Sequence, residues 1–168
     1  MTIEIALEAG EEWDSSSPWK PLVRRAAQAA IAESAYSSLS DSDRPVEISV
    51  ALTGDEQVRA LNAKWRGKDK ATNVLSFPMA DELDLKRANI AERELLLGDI
   101  VLAHGVCERE AEEKRVSFED HATHLVVHGT LHLLGYDHER DDDAADMEAR
   151  EVRALKRLGI SNPYEVHA

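Results

Sequence analysis

The sequence predicts an α+β fold in a single domain, residues 1–168, with a mixed sheet of about four strands flanked by helices. The length of 168 residues suits one domain and is enough to bury a hydrophobic core. Segments of strand character dominate the first half of the chain and segments of helical character the second. This separation favours an α+β fold over a doubly wound sheet.

The predicted strands cover residues 2–8, 46–52, 73–77 and 95–102. The first two alternate apolar and polar residues, which is typical of strands buried on one face. Pro78 is expected to stop the third strand, because proline cannot donate to the ladder. Gly98 marks an irregularity or a close approach in the fourth.

The predicted helices cover residues 19–38, 53–65, 104–114, 118–134 and 143–158. Thr53 followed by Glu56 predicts a capping box at the start of the second helix. Ser117 with Asp120 gives a weaker cap signal for the fourth. We expect loops over residues 10–17 and 79–94, where the sequence is polar and without regular periodicity.

The composition excludes several classes of protein. Hydrophobic residues make up 43% and charged residues 32%, a globular balance rather than a disordered one. The net charge of −13 argues against bulk electrostatic coating of nucleic acid, so any such role requires a local basic patch. The single cysteine, Cys107, rules out a disulfide within the chain, suits a reducing compartment and predicts no disulfide-linked partner.

The N-terminal segment and the hydropathy pattern predict a cytoplasmic protein without a membrane partner. The first thirteen residues, MTIEIALEAGEEW, lack the basic and apolar regions of a secretory signal. No apolar run approaches the roughly 18 residues needed to span a bilayer.

Histidine spacing in the string HGTLHLLGYDH predicts a metal site. His128 and His132 are four residues apart, so their rings project from one face of a helix. His124 lies about 12 Å along the axis from His132, too far for both to share an ion. Gly135 can end the helix and let His138 turn back. We therefore predict one Zn²⁺ held by His128, His132 and His138, with water in an open fourth position.

The same spacing occurs in metzincin proteases, so the helix is zincin-like. Those enzymes carry a glutamate general base directly after the first histidine. Here that position is Gly129, which has no side chain to accept a proton. A zinc metallohydrolase of peptide or another substrate remains an alternative weakened by this residue.

A basic run, NAKWRGKDK, predicts a phosphate-binding segment. It contains four basic side chains against one acidic side chain, Asp69: Lys64, Arg66, Lys68 and Lys70. A guanidinium suits bidentate contact with phosphate, and Trp65 could stack on an unpaired base. The alternative is a solvated charged loop with Trp65 in the core.

The remaining candidates have simpler interpretations. His124 is expected to pack or to contact a metal ligand rather than to bind the metal. Asp137 and Asp99 are candidates to orient a metal-bound imidazole, and Asp99 fits equally well as a turn residue at the end of a strand. We expect His104 and His121 to be exposed or capping residues, and Cys107 to be a small buried hydrophobe. The acidic run over residues 139–151 is interpreted as a helix start.

Three strings make the chain resemble the YbeY endoribonucleases, also called rRNA maturation factors: LNAKWRGKDKATNVLSFP, LGDIV and HLVVHGTLHLLGYDH. The acidic segment DDDAADMEAREVRALKRLG and the terminal NPY are also similar. The resemblance implies an α+β domain with one zinc on His128, His132 and His138. It also implies action on single-stranded RNA in small-subunit rRNA end maturation and ribosome quality control, with Arg66 as the functional arginine.

The resulting hypothesis is metal-assisted hydrolysis of an RNA phosphodiester. Arg66 would hold the scissile phosphate, and Lys64, Lys68 and Lys70 would bind RNA. Bound hydroxide, a substrate phosphate oxygen and the RNA 2′-hydroxyl all remain open as the base or nucleophile. The expected partners are single-stranded rRNA regions and ribosomal subunits or proteins. The second alternative is a ribosome-assembly binding factor with structural zinc.

Overall fold

A computed structural model describes residues 3–41, 45–86 and 94–164. The strands are β1 (Ile3–Ala9), β2 (Val46–Thr53), β3 (Val74–Pro78) and β4 (Leu95–Ala103). The helices are α1 (Trp19–Ala32), α2 (Asp55–Arg66), α3 (Glu82–Lys86), α4 (His104–Lys114), α5 (Phe118–Leu133) and α6 (Asp141–Arg157), with a 3₁₀ helix at Ser37–Asp41. The predicted α+β class is confirmed.

The four strands form one mixed sheet in the order β1-β2-β4-β3. β1 pairs parallel with β2, and β2 pairs parallel with β4. β3 pairs antiparallel with β4 and forms one edge of the sheet. The free side of this edge strand is the side that faces the histidines described below.

The helices divide unequally between the two faces of the sheet. α1 and α5 pack together on one face, and α6 packs against both of them. This side holds the main core, which includes Ile48, Leu97 and Leu131, all buried. α2 covers part of the opposite face through a smaller cluster around Val58 and Val101.

Several local predictions are confirmed. The Ser117 hydroxyl accepts a hydrogen bond from the Asp120 N–H at 3.0 Å, as expected for the N-cap of α5. Gly98 has φ +141° and lies where the β2–β4 register shifts. Its Cβ would lie 2.2 Å from the Phe77 carbonyl oxygen, so only glycine fits there. Cys107 is buried, and burial raises the pKa of its thiol to about 12.

The predicted capping box at Thr53 is wrong. Strand β2 continues through Thr53, and the N-cap of α2 is Gly54, with no side-chain cap hydrogen bond. The Thr53 carbonyl instead accepts a hydrogen bond from Trp13 Nε1 at 2.9 Å. Tertiary pairing of the strand prevails over the local cap signal.

Two element boundaries also differ from the prediction. α1 ends at Ala32 rather than near residue 38, because Ser34 turns the chain by donating its hydroxyl to the Ile31 carbonyl at 2.7 Å. The predicted loop over residues 79–94 contains the short helix α3, with Leu85 buried in the core. Residues 87–93 of that predicted loop lie outside the described part of the chain.

Among the described residues, no helix combines the length and the apolar character needed to cross a membrane.

Candidate metal centre and adjoining basic wall

A cleft of about 660 Å³ lies between the free edge of β3 and the C-terminal end of α5. One wall carries the histidine side chains of α5 and the following loop. The other wall carries the end of α2, the segment after it, and the edge strand. The fold therefore places the two predicted functional segments, the histidine motif and part of the basic run, opposite each other.

His128 and His132 are brought together by the turn of α5, as their spacing predicts. Their rings are 4.5 Å apart between centroids, and the two Nε2 atoms are 3.0 Å apart. His132 Nδ1 donates a hydrogen bond to the Tyr136 carbonyl at 2.8 Å. Because that nitrogen carries the proton, the Nε2 lone pair of His132 points into the cleft.

His138 reaches the same point because α5 ends in a Schellman motif. Gly135 has φ +95°, its N–H bonds the His132 carbonyl at 3.0 Å, and the Tyr136 N–H bonds the Leu131 carbonyl at 3.0 Å. The chain then reverses, and the His138 ring centroid lies 5.1 Å from that of His132. The predicted role of Gly135 as a helix stop thus explains the position of the third imidazole.

The orientation of His128 depends on a buried carboxylate from α6. Glu151 is 0% exposed and accepts a hydrogen bond from His128 Nδ1. Glu151 also accepts from His124 Nε2 at 3.1 Å and from the Tyr164 hydroxyl. Burial alone would raise the pKa of Glu151, but the hydrogen bonds from the two histidines lower it to about 2, so the carboxylate is ionised.

The three histidines fit a metal ion by the chemistry of their donor atoms. One ring nitrogen from each of His128, His132 and His138 lies within 4.8 Å of the other two. Burial and the neighbouring His128 lower the pKa of His132 to about 4, which keeps its imidazole neutral at neutral pH. With both Nδ1 atoms protonated, the Nε2 lone pairs of His128 and His132 face each other across 3.0 Å, and a cation bound to both would relieve their repulsion.

The basic run divides between two places. Arg66 and Lys68 line the cleft, and Arg66 donates a hydrogen bond to the Ser76 carbonyl on β3 at 2.7 Å. Lys64 lies elsewhere, with Nζ 5.0 Å from the centroid of the Trp65 ring. Lys70 is exposed, and its carbonyl accepts a hydrogen bond from Asn62. Neither Lys64 nor Lys70 is among the described residues that line the cleft.

Trp65 is 63% exposed, so the alternative that placed it in the core is wrong. Its ring lies in a second groove, on the outer face of the sheet, together with Phe77 and Asp99. This groove is on the other side of β3 and β4 from α5. The side chains of Trp65 and Arg66 are adjacent in sequence but point to different surfaces.

The predicted partners of the metal ligands need correction. Asp99 faces the outer groove because side chains alternate along β4. Asp137 accepts a hydrogen bond from the backbone N–H of His138 at 2.6 Å rather than from an imidazole. The groups that hold the metal-site imidazoles are Glu151 and the Tyr136 carbonyl, neither of which was among the candidates.

Two other histidines are less exposed than predicted. His121 is 2% exposed and bonds Glu110 Oε1 at 2.8 Å through Nε2. His104 is half-buried and packs edge-on against Trp13 and Phe118. Both are part of the packing around α4 and α5, because the helices meet there across large aromatic side chains.

Comparisons with known proteins agree with this geometry. The family model described as Endoribonuclease YbeY matches residues 11–159. The proteins named Endoribonuclease YbeY from Rhizorhabdus wittichii and Sphingopyxis alaskensis are 50% identical over 165 residues and 49% identical over 163 residues. The first alignment covers 98% of this chain and 98% of the relative. The second covers 96% of this chain and 97% of the relative.

A solved structure shares the fold. The solution structure of TM1509 from Thermotoga maritima superposes with a TM-score of 0.53 at 22% identity, covering 97% of this chain and 100% of that one. The family model and the curated relatives, together with the histidine cluster, lead to one assignment. The chain belongs to the endoribonuclease YbeY family, a family of metal-dependent hydrolases that cleave RNA.

Proposed function

We propose that this protein is a zinc-dependent endoribonuclease specific for single-stranded RNA. It acts in the cytoplasm in rRNA maturation, at the ends of small-subunit rRNA, and in ribosome quality control. The observation that carries the proposal is the cleft itself, in which three convergent imidazoles face Arg66 and Lys68. Relatives that cover nearly the whole chain bear the name Endoribonuclease YbeY.

His128, His132 and His138 would hold the zinc ion through their ring nitrogens. When bound, zinc supplies Lewis-acid polarisation of a phosphoryl oxygen. Among the described residues, the group that could hold a metal contains these three histidines and no fourth side chain. Three protein ligands are typical of catalytic zinc sites, whereas structural sites are closed by four.

Arg66 is the residue that we assign to the scissile phosphate. Its guanidinium has five N–H donors, and its one hydrogen bond to another described residue goes to the Ser76 carbonyl. The remaining donors are available for bidentate contact with a phosphate in the cleft. Charge that develops on that phosphate would be offset by the guanidinium. Lys68 adds a second positive charge to the same wall.

The lysines that lie outside the cleft would act on more distant parts of the substrate. Lys64 and Lys70 are exposed and flank the cleft-lining residues in sequence. They are proposed to contact the phosphates of flanking nucleotides. Such contacts strengthen binding without contributing to the chemical step.

The net charge of −13 bears on the choice of substrate. Most of the surface would repel a polyanion, so RNA would be confined to the cleft, where basic side chains and a divalent cation make the local charge positive. We therefore expect weak binding to free RNA. Tight binding, and with it efficient cleavage, would depend on a protein-bearing substrate, such as a ribosomal subunit or its proteins.

Two features of the cleft weigh against a peptidase. A Cβ on Gly129 would lie 3.1 Å from both Ile100 Cγ2 and Ser76 Oγ, so the glutamate base of zinc peptidases would fit there only if these side chains shifted. The edge strand β3, where a peptide would add as a further strand, has its Ser76 carbonyl occupied by Arg66. Both features favour RNA over peptide as substrate.

Cleavage assays with a chelator separate the proposal from its alternatives. The purified protein is incubated with a single-stranded RNA, the corresponding duplex and a peptide library, each before and after metal removal. We expect metal-dependent cleavage of the single strand alone. Peptide cleavage would favour the metallohydrolase alternative, and loss of folding without any RNA cleavage would favour the assembly factor with structural zinc.

The biological part of the proposal is tested by mapping rRNA ends in cells that lack the protein. We expect unprocessed small-subunit rRNA ends that are corrected by the wild-type chain and not by the His128→Ala chain. Normal rRNA ends in the deletion strain would contradict the assignment to rRNA maturation.

A further inference from the structure

Glu151 is an unusual residue for the interior of this protein. It lies on the buried face of α6, close to Met147 and Leu155, and is itself 0% exposed. A buried carboxylate is strongly destabilising unless it is paired and hydrogen-bonded. Among the described residues its partners are two imidazoles and a phenol, and no lysine or arginine pairs with it.

The hydrogen bonds divide between the two carboxylate oxygens. Oε2 accepts from His124 Nε2 at 3.1 Å and from the Tyr164 hydroxyl, whereas Oε1 accepts from His128 Nδ1. His124 and His128 are on α5 and Tyr164 comes from the segment after α6, so two parts of the chain hold this carboxylate of α6. The two donors on Oε2 set the plane of the group and leave Oε1 directed at His128.

This arrangement determines which nitrogen of His128 carries the proton. Oε1 of Glu151 faces Nδ1 and accepts its hydrogen bond, while both other donors bind Oε2, so the proton of neutral His128 lies on Nδ1. The Nε2 lone pair then faces the cleft, where it lies 3.0 Å from Nε2 of His132. His132 obtains the same tautomer from a backbone carbonyl, which no side-chain substitution can remove.

We propose that Glu151 is a positioning residue, fixed by His124 and Tyr164, that holds His128 in the tautomer and orientation required of a metal ligand. The inference rests on the proposed zinc site. It assigns a role to the buried Glu151–Tyr164 pair that neither the histidine spacing nor the basic run indicates. A purely structural carboxylate would join α5 to α6 without affecting the His128 tautomer.

The first test is ¹⁵N NMR of the imidazoles in the metal-free protein at about pH 8, well above the ordinary pKa of histidine. We expect His128 to be protonated on Nδ1 in the wild-type protein. In Glu151→Met, which is similar in length but cannot accept a hydrogen bond, we expect a mixture of tautomers. A wild-type His128 protonated mainly on Nε2 would overturn the inference, whether or not the protein cleaves RNA.

The second test is the zinc dissociation constant, measured by competition with a chromogenic chelator. Loss of a partner of a metal-bound histidine weakens metal binding by about 10- to 100-fold. We expect Glu151→Met near the upper end of that range, and Glu151→Gln, which keeps a neutral acceptor, near the lower end. If Glu151→Met does not fold, Glu151→Gln decides the question.

A matched control is available at another carboxylate that bonds a histidine of α5. Glu110 accepts a hydrogen bond from buried His121 at 2.8 Å, and His121 is not one of the three clustered histidines. Glu110→Gln therefore removes a carboxylate from a histidine of α5 that is not a proposed ligand. Glu110 does not itself line the cleft, and its amide replacement can still accept the hydrogen bond that Asn73 donates at 3.0 Å. We expect its zinc affinity to stay within about twofold of wild type, against at least about tenfold for Glu151→Gln. Equal losses in both variants, or none in Glu151→Gln, would overturn the inference.

Discussion

The two walls of the cleft differ in how their side chains are held. On the α5 wall, His128 is bonded through Nδ1 to a buried carboxylate and His132 to a backbone carbonyl. On the opposite wall, Arg66 is exposed, and among the described residues its side chain has a single hydrogen bond, to the Ser76 carbonyl, with its guanidinium 5.6 Å from the Phe77 ring. The first wall has its geometry before any ligand arrives, whereas the second can adjust.

This difference suggests that the α5 wall binds the metal and the basic wall binds the RNA. A metal site requires fixed donor atoms, because small errors in ligand position weaken coordination. A site for single-stranded RNA must accommodate variable backbone conformations, which long, exposed basic side chains can follow. Substitutions on the α5 wall should therefore act on metal binding, and those on the basic wall should act on cleavage while the metal remains bound.

The largest expected effect is that of His132→Ala. This variant removes one of three protein ligands, so bound zinc should fall from about one ion per chain to near zero. Loss of several kcal/mol of transition-state stabilisation corresponds to a fall in cleavage of more than about a thousandfold. Metal analysis and RNA cleavage on the same sample check the result. Retained zinc at wild-type stoichiometry would show that His132 is not a ligand.

Arg66→Ala should separate the two walls most clearly. Removing a donor that stabilises developing charge costs about 100- to 1000-fold in rate. Zinc content should stay at the wild-type level, since Arg66 contacts β3 rather than the histidines. If Arg66→Ala lost as much zinc as His132→Ala, the two walls would not have separate functions. If it cleaved RNA at the wild-type rate, Arg66 would have no part in the mechanism.

Gly135→Ala tests whether the helix stop positions the third ligand. At φ +95° a Cβ is strained, although nothing lies within 4 Å of it, so we expect a loss of about 1–2 kcal/mol in the free energy of unfolding. His138 and the Tyr136 carbonyl follow this turn, so zinc affinity should fall as well. Chemical denaturation and the chelator competition measure the two effects. Unchanged zinc affinity in a destabilised protein would show that the turn does not determine the position of the metal ligands.

The smallest effect is expected from the lysines. Lys68 lines the cleft and Lys64 does not, so Lys68→Ala should raise KM by a few-fold, on the order of 1 kcal/mol. Lys64→Ala should have a smaller effect on the same short RNA. The pair has the same change of charge, so the comparison isolates position. Equal effects would mean that the lysines act only through overall charge.

Much of the fold could be predicted from the sequence because the patterns that specify these strands and helices are local. Alternation predicted β1 and β2 to within one residue, and α4 was predicted at its observed bounds. The three histidines were found through helical spacing and a glycine stop. Thr53 shows the limit of such signals, because pairing of β2 with β4, in which Thr53 lies opposite Ala103, extends the strand over a residue with a good cap pattern.

Glu151 was not found because its role depends on contacts distant in the chain. Its partners His128 and Tyr164 are 23 and 13 residues away, and the acidic composition of residues 139–151 suggested only a helix start favoured by the helix dipole. One local signal was present. Glu151 lies four residues after Met147 and three and four before Ala154 and Leu155, on the apolar stripe of α6. A carboxylate at such a position requires a buried partner.

The central claim is that the histidine cleft cleaves single-stranded RNA when it holds zinc. The most direct measurement is the initial rate of cleavage of a single-stranded RNA as zinc is titrated into metal-free protein. We predict a rate that rises in proportion to occupancy and saturates at about one ion per chain, with no rise for His132→Ala. A rate independent of zinc occupancy, or equal in His132→Ala and the wild-type protein, would contradict the claim.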